Sequence, residues 1–349
     1  MVFNGKINSK SDKDMKFCKK CGFILGTKPG LKDIDGVCLA CINAEKKKII
    51  NFKERQKWLT EYIKENKTHD KYECVVGVSG GKDSHMIVER LMRNHGVKNP
   101  LLVTVCDEFT KTQAGIHNRQ NLAEHFKCDH ITFRCNPSEF IKHTKEDFEN
   151  ELHPLKWIET NLYKKPFEIA KMMGIKLLFY GENAAFDYGT SEELDIFHPL
   201  SDNDTKIIYM GAIYPYSTQD SLSIAKECGF RDLDYYNEWQ RSGNIENYTQ
   251  IDSIGYIVHL WCKFVKFGFQ RVSDMACRYV REGILSKEQA ELLIKDNDYK
   301  LDLCAKRDFC RTIGITEKYF DEIVDRHANK DLVYKDINGS WRLKAHMVN

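Results

Sequence analysis

Short apolar runs alternate with amphipathic segments through the middle of the chain. Buried strands are predicted from the apolar runs at residues 74–78, 101–105, 130–133 and 176–180. Helical patterns lie between these runs, at residues 83–94, 117–126 and 166–173. Strands that alternate with helices at this spacing predict an α/β domain, with a doubly wound parallel sheet that is covered by helices on both faces.

The C-terminal third has a different pattern. After about residue 234 the strand signals fade, and helices are predicted at residues 251–267, 274–281, 287–295 and 317–328. Ser286 and Gln289 have the spacing of a capping box at the start of the third of these helices. This third therefore predicts a helical extension.

The N-terminus is rich in Cys, Gly and Lys, and apolar positions at helical spacing follow it over residues 44–66. This pattern predicts a small module that a helix joins to the sheet domain. Four parts are expected along the chain: a ribbon at 1–43, a connecting helix at 44–70, the sheet domain at 71–235 and the helical C-terminal region at 236–349.

Composition narrows the class of protein. The chain has 349 residues, 42% of them apolar and 30% charged, which is typical of a globular protein of about two domains. A net charge of +2 argues against a protein that grips long nucleic acid. Residues 1–16 lack a secretory apolar core, and the apolar stretch at 251–269 contains charged residues that favour a buried helix over a membrane span. We therefore expect a cytoplasmic protein without a membrane partner, in a reducing compartment that suits its 13 cysteines.

Two C-x-x-C pairs in the N-terminal module have the spacing of a metal site. The four cysteines are Cys18, Cys21, Cys38 and Cys41. Two such turns can close a tetrahedron of thiolates around Zn²⁺, and four thiolates leave no open position for water. The prediction is a structural zinc ribbon, with an iron–sulfur cluster as the alternative.

The segment at 77–84, GVSGGKDS, follows the first predicted strand and opens the first helix. Glycines let successive N–H groups converge on an anion, and the helix N-terminus adds partial positive charge. Val76 and Asp83 stand where the Walker A pattern needs Gly and Ser or Thr, and G-x-G-x-x-G is also absent. The S-G-G-x-D-S pattern instead resembles the pyrophosphate loop (PP-loop) of the N-type ATP pyrophosphatases. That resemblance implies their fold, ATP bound through its β- and γ-phosphates, and attack on the α-phosphate with release of pyrophosphate.

Polar residues end two of the predicted strands. Asp107 follows the second strand, and Glu182 and Asn183 follow the fourth. Ligands of doubly wound sheets lie at the carboxyl ends of the strands. Asp107 is therefore a candidate for contact with magnesium or adenosine, and Glu182 and Asn183 are candidates for binding or activating a polar group.

From end to end, the chain resembles the N-acetyl sugar amidotransferases of bacterial surface-polysaccharide and flagellin-glycan biosynthesis. The resemblance rests on the cysteine ribbon, the loop at 77–84, HPLKW at 153–157, YGEN at 180–183 and KFGFQRVSD at 266–274. It implies that ATP activates the acetamido oxygen of a nucleotide-linked sugar and that ammonia then displaces AMP, leaving an acetamidino group. Since no glutaminase signature is present, we expect a partner glutaminase subunit to supply the ammonia.

Together these arguments predict roles for individual residues. The predicted catalytic residues are Lys82, Asp83, Asp107 and Glu182. The predicted ATP-binding residues are Val78, Ser79, Gly80, Gly81, Lys82, Asp83 and Ser84, to which the family resemblance adds Lys266 and Arg271; spacing alone would make these two surface residues. The predicted substrate-binding residues are Glu182 and Asn183, and the resemblance adds Asp274. The expected cofactors are ATP, Mg²⁺ and structural Zn²⁺.

Three other functions fit part of the sequence. A tRNA-thiolating enzyme shares the loop and sometimes a ribbon, but usually needs a reactive cysteine pair in its catalytic domain and a basic surface. Another amide- or amine-forming ATP ligase is the second alternative. In the third, the ribbon docks a partner onto an inactive nucleotide fold.

Overall fold

The computed structural model describes residues 15–181 and 184–346. Two short hairpins form the N-terminal module: β1 (Lys16–Phe17) pairs with β2 (Ile24–Leu25), and β3 (Asp33–Ile34) pairs with β4 (Val37–Cys38). The first C-x-x-C pair lies in the turn between β1 and β2. The second pair ends β4 and enters the next helix, so that both pairs face each other.

The single helix predicted over residues 44–66 is wrong, because two helices occupy this region. The first, α1 (Leu39–Lys48), begins inside the second C-x-x-C pair, and the second is α2 (Phe52–Asn66). Asn51 caps α2 by accepting a hydrogen bond from the backbone N–H of Glu54 at 3.2 Å. A side-chain cap satisfies free N–H groups at the start of a helix, so the cap at Asn51 marks the start of a second helix within the predicted helical stretch.

The sheet domain follows α2 and contains five parallel strands. Its elements are β5 (Cys74–Gly77), α3 (Lys82–His95), β6 (Pro100–Cys106), α4 (Gln113–Phe126), β7 (His130–Arg134), α5 (Pro137–Glu151), α6 (Lys156–Met172), β8 (Leu177–Tyr180), α7 (Ala184–Tyr188), β9 (Lys206–Tyr209), α8 (Met210–Ile213), α9 (Thr218–Glu227) and α10 (Leu233–Tyr236). The strand order is β7-β6-β5-β8-β9, and every pair is parallel. The predicted doubly wound sheet is confirmed, and β9 is a strand that the sequence analysis missed.

Both faces of this sheet are buried. Leu59 of α2 and Met86 of α3 pack on one face, and Ile169 of α6 packs on the other. The chain crosses from β5 to β6 on one side and later returns to β8 on the other. The strand order therefore reverses at β5, which places the ligand-binding crevice of such sheets at the carboxyl end of that strand.

The C-terminal region is mainly helical, as predicted, with a terminal hairpin that was not predicted. Its elements are α11 (Val258–Phe267), α12 (Arg271–Arg281), α13 (Lys287–Asn297), α14 (Leu303–Ile313), α15 (Glu317–His327), β10 (Val333–Lys335) and β11 (Trp341–Leu343). The capping box of Ser286 and Gln289 is confirmed at the start of α13.

The helix predicted from residue 251 begins later than expected. The carbonyls of Ile251 and Asp252 accept hydrogen bonds from the side chain and backbone of Thr112, so this stretch lies against α4 in irregular conformation. A single 3₁₀ turn at Gly255–Ile257 then leads into α11. Within the described parts of the chain, no helix combines the length and the apolar character needed to cross a bilayer.

The N-terminal module packs on the C-terminal helices rather than standing apart. Its cysteines share one buried cluster with Val272, Ala276 and Cys277 of α12 and with Ala290 of α13. The Cys277 thiol donates to the carbonyl of Cys21 at 3.2 Å. This docking places the N-terminal module against α12 and α13.

Candidate active site

The loop at 77–84 joins β5 to α3 and is closed by its own side chains. The N–H of Ser79 donates to Oγ of Ser84 at 3.0 Å, and the N–H of Gly81 donates to Oγ of Ser79 at 3.2 Å. Gly80 adopts φ +96°, a conformation that L side chains rarely adopt. The result is a tight backbone curl at a helix N-terminus, the geometry that binds phosphate groups.

Neighbouring side chains pack so closely on the loop that its glycines have little room for substitution. A Cβ on Gly77 would lie 2.1 Å from the ring of Tyr180, and one on Gly80 would lie 2.9 Å from Cγ of Arg119. Because the ring cannot yield without leaving β8, Gly77 is required where the two strands meet.

Lys82 and Asp83 form a buried group with a tyrosine from beyond the sheet. Lys82 as a whole is only 2% exposed. Its Nζ lies 2.6 Å from Oδ1 of Asp83 and 2.8 Å from the hydroxyl of Tyr216. Tyr216 in turn donates to the same carboxylate. Burial raises the pKa of the Asp83 carboxyl, but the Lys82 ammonium and the tyrosine hydroxyl outweigh it and hold that pKa below its ordinary value.

A large cleft opens in front of the loop, and it is called the loop cleft below. Its walls are the loop, the carboxyl ends of β6 and β8, residues 248–252 and parts of α6, α11 and α12. It encloses about 2030 Å³ of non-protein volume, its open mouth included. All seven loop residues predicted to bind ATP line this cleft, from Val78 to Ser84.

Two carboxylates from different segments line the loop cleft together with the loop. Asp107 accepts hydrogen bonds from Ser253 at 2.7 Å and from the N–H of Phe109 at 2.9 Å, and it lies 2.7 Å from Nζ of Lys111. Asp252 lines the same wall, and its pKa is raised by burial and by the charge of Asp107. Carboxylate oxygens of this kind suit Mg²⁺.

Arg271 and Arg278 of α12 also line the loop cleft. Arg271 donates to the hydroxyls of Thr249 and Tyr188, at 2.9 and 3.3 Å, and its buried Nε has no hydrogen-bond partner among the described residues. Arg278 lies 3.4 Å from Asp187. One guanidinium group from the first turn of α12 and one from its last turn therefore bring positive charge to the loop cleft, which suits phosphate.

A third group of polar side chains lies on the wall formed by α6 and α11. Glu159 lies 3.2 Å from Nε2 of His153 and 3.9 Å from Nε2 of His259. Burial lowers the pKa of His259 to about 4, so its imidazole is neutral at pH 7. This wall therefore presents the Glu159 carboxylate and the His259 imidazole to the loop cleft, while His153 is hydrogen-bonded to Glu159 without lining the cleft.

Four other predicted residues lie away from the loop or cannot be placed. Lys266 does not line the loop cleft: its Nζ donates to the carbonyl of Glu151 at 2.8 Å, and Lys263, one turn earlier, faces the cleft instead. Asp274 lines an adjoining cavity beside the ribbon. Glu182 and Asn183 lie outside the described residues.

The four ribbon cysteines converge on one point. Their sulfurs all lie within 4.8 Å of one another, with 3.9 Å between Cys18 and Cys41 and 3.7 Å between Cys21 and Cys38. Four thiolates at about 2.3 Å from one zinc ion are about 3.8 Å apart at the edges of a tetrahedron. In a four-iron cluster each thiolate binds a different iron and the sulfurs lie farther apart. The geometry therefore fits a single tetrahedral ion.

Several residues around the loop carry no local sequence signal. Tyr216 contacts the loop from far along the chain, and Arg278 and Asp252 reach the cleft from distant elements. Glu159 and Lys263 of the cleft stand in ordinary helical patterns. In the apolar stretch at 251–267, the charged residues Asp252 and Lys263 are the only signal, and from the sequence they indicate no more than a buried helix.

The parallel sheet, the tight loop at its switch point and the N-terminal four-cysteine site define an α/β protein with a phosphate-binding type of loop. Residues 242–347 match the family model described as the LPS biosynthesis protein WbpG-like, C-terminal domain. An uncharacterized protein of Methanocaldococcus jannaschii is 23% identical over 277 residues, which are 78% of this chain and 91% of that protein.

Three solved structures share parts of the architecture. The NH3-dependent NAD synthetase of Campylobacter jejuni has a TM-score of 0.36 at 12% identity, covering 54% of this chain and 78% of that one. The NMN synthetase of Francisella tularensis has a TM-score of 0.38 at 12% identity, covering 67% of this chain and 94% of that one. The U34-tRNA thiolase NcsA of Methanococcus maripaludis has a TM-score of 0.29 at 13% identity, covering 83% of this chain and 90% of that one. These scores are too low to carry over a fold assignment or residue roles, so the sheet order and the loop describe this chain by themselves.

Proposed function

We propose that this protein is an ATP-dependent amidotransferase that converts the acetamido group of a nucleotide-activated sugar to an acetamidino group. One observation carries the proposal: an intact PP-loop faces a cleft whose opposite wall belongs to the segment that matches the WbpG-like domain. That wall includes Asp252, Lys263, Arg271 and Arg278, all within residues 242–347.

In this proposal ATP binds with its β- and γ-phosphates in the loop at 77–84. Backbone N–H groups and the N-terminus of α3 contact the phosphate oxygens, and Arg271 and Arg278 approach them from α12. Lys82 is bonded to Asp83 and Tyr216, so it acts by shaping the loop and by its charge. The α-phosphate is left facing the open cleft.

Asp107 and Asp252 would hold Mg²⁺ beside these phosphates. Mg²⁺ prefers oxygen ligands and commonly binds one or two carboxylates together with substrate phosphates. Lys111 is bonded to Asp107 in the structure and would turn toward phosphate when the ion is held. The ion supplies charge neutralisation at the phosphates when bound.

The proposed chemistry has two steps. The acetamido oxygen attacks the α-phosphorus of ATP, and pyrophosphate leaves, forming an O-adenylated imidate. Ammonia then adds to the imidate carbon and AMP leaves with the former acetamido oxygen, so one oxygen is exchanged for one nitrogen. The cleft contributes by holding both reactants in line and by neutralising the leaving group.

A partner glutaminase is proposed as the source of ammonia, and the four cysteines are proposed to hold structural Zn²⁺. The first proposal rests on the absence of a glutaminase signature in the sequence. Glutamine-dependent activity of the isolated chain at the ammonium-driven rate would contradict it. The second rests on the sulfur geometry, because four buried thiolates around one point suit a closed tetrahedral site.

A product assay tests the proposal. Parallel reactions contain the protein with ATP, Mg²⁺ and ammonium salt, together with either a panel of N-acetylated nucleotide sugars or bulk tRNA. We expect AMP and pyrophosphate only with a sugar, and a mass change of the sugar that corresponds to O replaced by NH. AMP formed only with tRNA would replace the proposal with tRNA thiolation.

A further inference from the structure

A second cavity lies between the ribbon and the C-terminal helices, and it is called the ribbon cavity below. It encloses about 890 Å³ of non-protein volume, open mouth included. Phe23, Leu39 and Phe269 form apolar parts of its lining. Tyr188 and Lys263 line both this cavity and the loop cleft, so the two spaces meet at these residues.

Three lysines and Arg281 line the ribbon cavity. Lys32 is paired with Glu192 at 3.5 Å, and the other two lysines come from different parts of the chain. Lys28 comes from the ribbon and Lys263 from α11. Nζ of Lys263 is 4.0 Å from Asp274, whereas the ammonium group of Lys28 has no hydrogen bond or ion pair with any described residue. Burial, and then the charge of Lys263, hold the pKa of Lys28 below its ordinary value, although Asp274 and Glu159 oppose this shift.

Lys28 and Lys263 place two ammonium groups on one partly buried cavity, and a bound anion would reduce their repulsion further than Asp274 alone does. Each lies beside apolar surface, so the space suits a ligand with an anionic centre and a flat, less polar end. Asp274 lines the same cavity and can accept hydrogen bonds from hydroxyl groups. A nucleoside diphosphate combines an anionic diphosphate, a flat base and a ribose with hydroxyl groups that Asp274 could bind.

We propose that the ribbon cavity binds the nucleoside diphosphate part of the sugar substrate, with Lys28 and Lys263 on the diphosphate, Asp274 on the ribose and the base against the apolar lining. The proposal rests on the proposed function. Because Lys263 stands where the cavity meets the loop cleft, the sugar attached to the diphosphate extends into the cleft toward the α-phosphate of ATP. The ribbon thus supplies part of the substrate site as well as a metal site.

Calorimetric titration of the full-length, metal-loaded protein with UDP tests this site. The titration is made with saturating non-hydrolysable ATP analogue, which occupies the loop. We expect Lys28→Gln and Lys263→Gln each to raise the Kd for UDP by about tenfold, since one charge-assisted contact contributes about 1.4 kcal/mol or more. The matched control is Lys16→Gln, at an exposed ribbon lysine outside the cavity, and it should leave the Kd unchanged.

Three results would overturn the site: no binding of UDP by the wild type, loss of UDP binding when the ATP analogue is present, or equal affinity in wild type and both lysine variants. CMP serves as a parallel probe, and preference for CMP over UDP would contradict a diphosphate site. The amidation assay separates the two proposals. If the protein amidates a sugar but both lysine variants bind UDP as tightly as the wild type, the site is wrong and the proposed reaction stands. If UDP binding depends on the lysines but no N-acetylated sugar is amidated, the proposed reaction is wrong and the site stands.

Discussion

Lys82 is a charged residue buried to 2% exposure, and it depends on a tyrosine that is 134 residues further along the chain. A buried ammonium is tolerated only when it is paired and hydrogen-bonded, which Asp83 and Tyr216 provide. These two partners also set the direction of the first turn of α3. The loop is therefore shaped by a contact that lies outside its own sequence motif.

Replacing Tyr216 with Phe tests this contact. The change removes the hydroxyl and leaves Lys82 and Asp83 with one partner fewer, so we expect the rate of AMP formation to fall by about tenfold or more, an effect of about 1.4 kcal/mol. Tyr214→Phe is the matched control, because the Tyr214 hydroxyl bonds to Asn94 and His95 instead. Equal activity of Tyr216→Phe and wild type would contradict the role of this hydroxyl.

Residues with a local pattern could be predicted from the sequence, and residues without one could not. The loop at 77–84 and the four cysteines have fixed spacing, because backbone geometry within a few residues determines the site. Arg278 and Asp252 reach the cleft only through tertiary packing of α12 and of the segment before α11. Lys266 was predicted from a motif, but the helix turns it toward Glu151.

At the scale of elements, the histidine His95 connects three parts of the sheet domain. Thr60 of α2 and Tyr214, which follows α8, each lie 2.8 Å from a ring nitrogen of this residue at the end of α3. Burial lowers the pKa of His95 to about 4, so the folded protein holds a neutral ring. In the unfolded chain the pKa is about 6.5.

This difference predicts a loss of stability in acid. Because the folded-state pKa is the lower one, the stabilisation is complete above about pH 6.5 and is lost as the pH falls toward 4. At pH 5 the loss at this residue is about 2 kcal/mol relative to pH 8. We expect His95→Gln to show a correspondingly smaller fall in the free energy of unfolding between pH 8 and pH 5, measured by urea denaturation. The same fall in variant and wild type would show that His95 is not a source of acid sensitivity.

The elements themselves were predictable where the pattern was long and unambiguous. The buried strands β5, β6 and β8 are apolar runs next to turns, and α13 has its capping box. The short strand β9 and the break between α1 and α2 were missed. A four-residue strand gives little periodicity, and Asn51 within a helical pattern is a cap only because the tertiary structure turns the chain there.

At the scale of the whole molecule, the ribbon is packed onto helices of the C-terminal region. Its cysteines pack on α12, the helix that supplies Arg271 and Arg278 to the loop cleft. The sequence predicted the ribbon but not where it docks, since no local pattern records contacts between residues more than 200 positions apart. Loss of the metal should therefore disturb the C-terminal helices as well as the ribbon.

Cys41→Ser tests this coupling. Removing one of four thiolates should release the metal and lower both Tm and the affinity for nucleotide sugar, because metal binding and folding of the ribbon are linked. Cys304→Ser is the control, since Cys304 is exposed and outside the cluster. The readouts are metal content by elemental analysis and Tm by calorimetry. A Cys41→Ser protein with full metal content and unchanged Tm would contradict the four-thiolate site, and iron in the wild type would contradict zinc.

The most direct test of the whole account is the dependence of AMP and pyrophosphate release on an N-acetylated nucleotide sugar. The assay compares the wild type with Asp83→Ala in the presence of ATP, Mg²⁺ and ammonium salt. The account predicts sugar-dependent release of both products by the wild type, with an acetamidino sugar as the third product, and none by Asp83→Ala with its fold intact. Release that does not depend on the sugar, or that persists in Asp83→Ala, would contradict it.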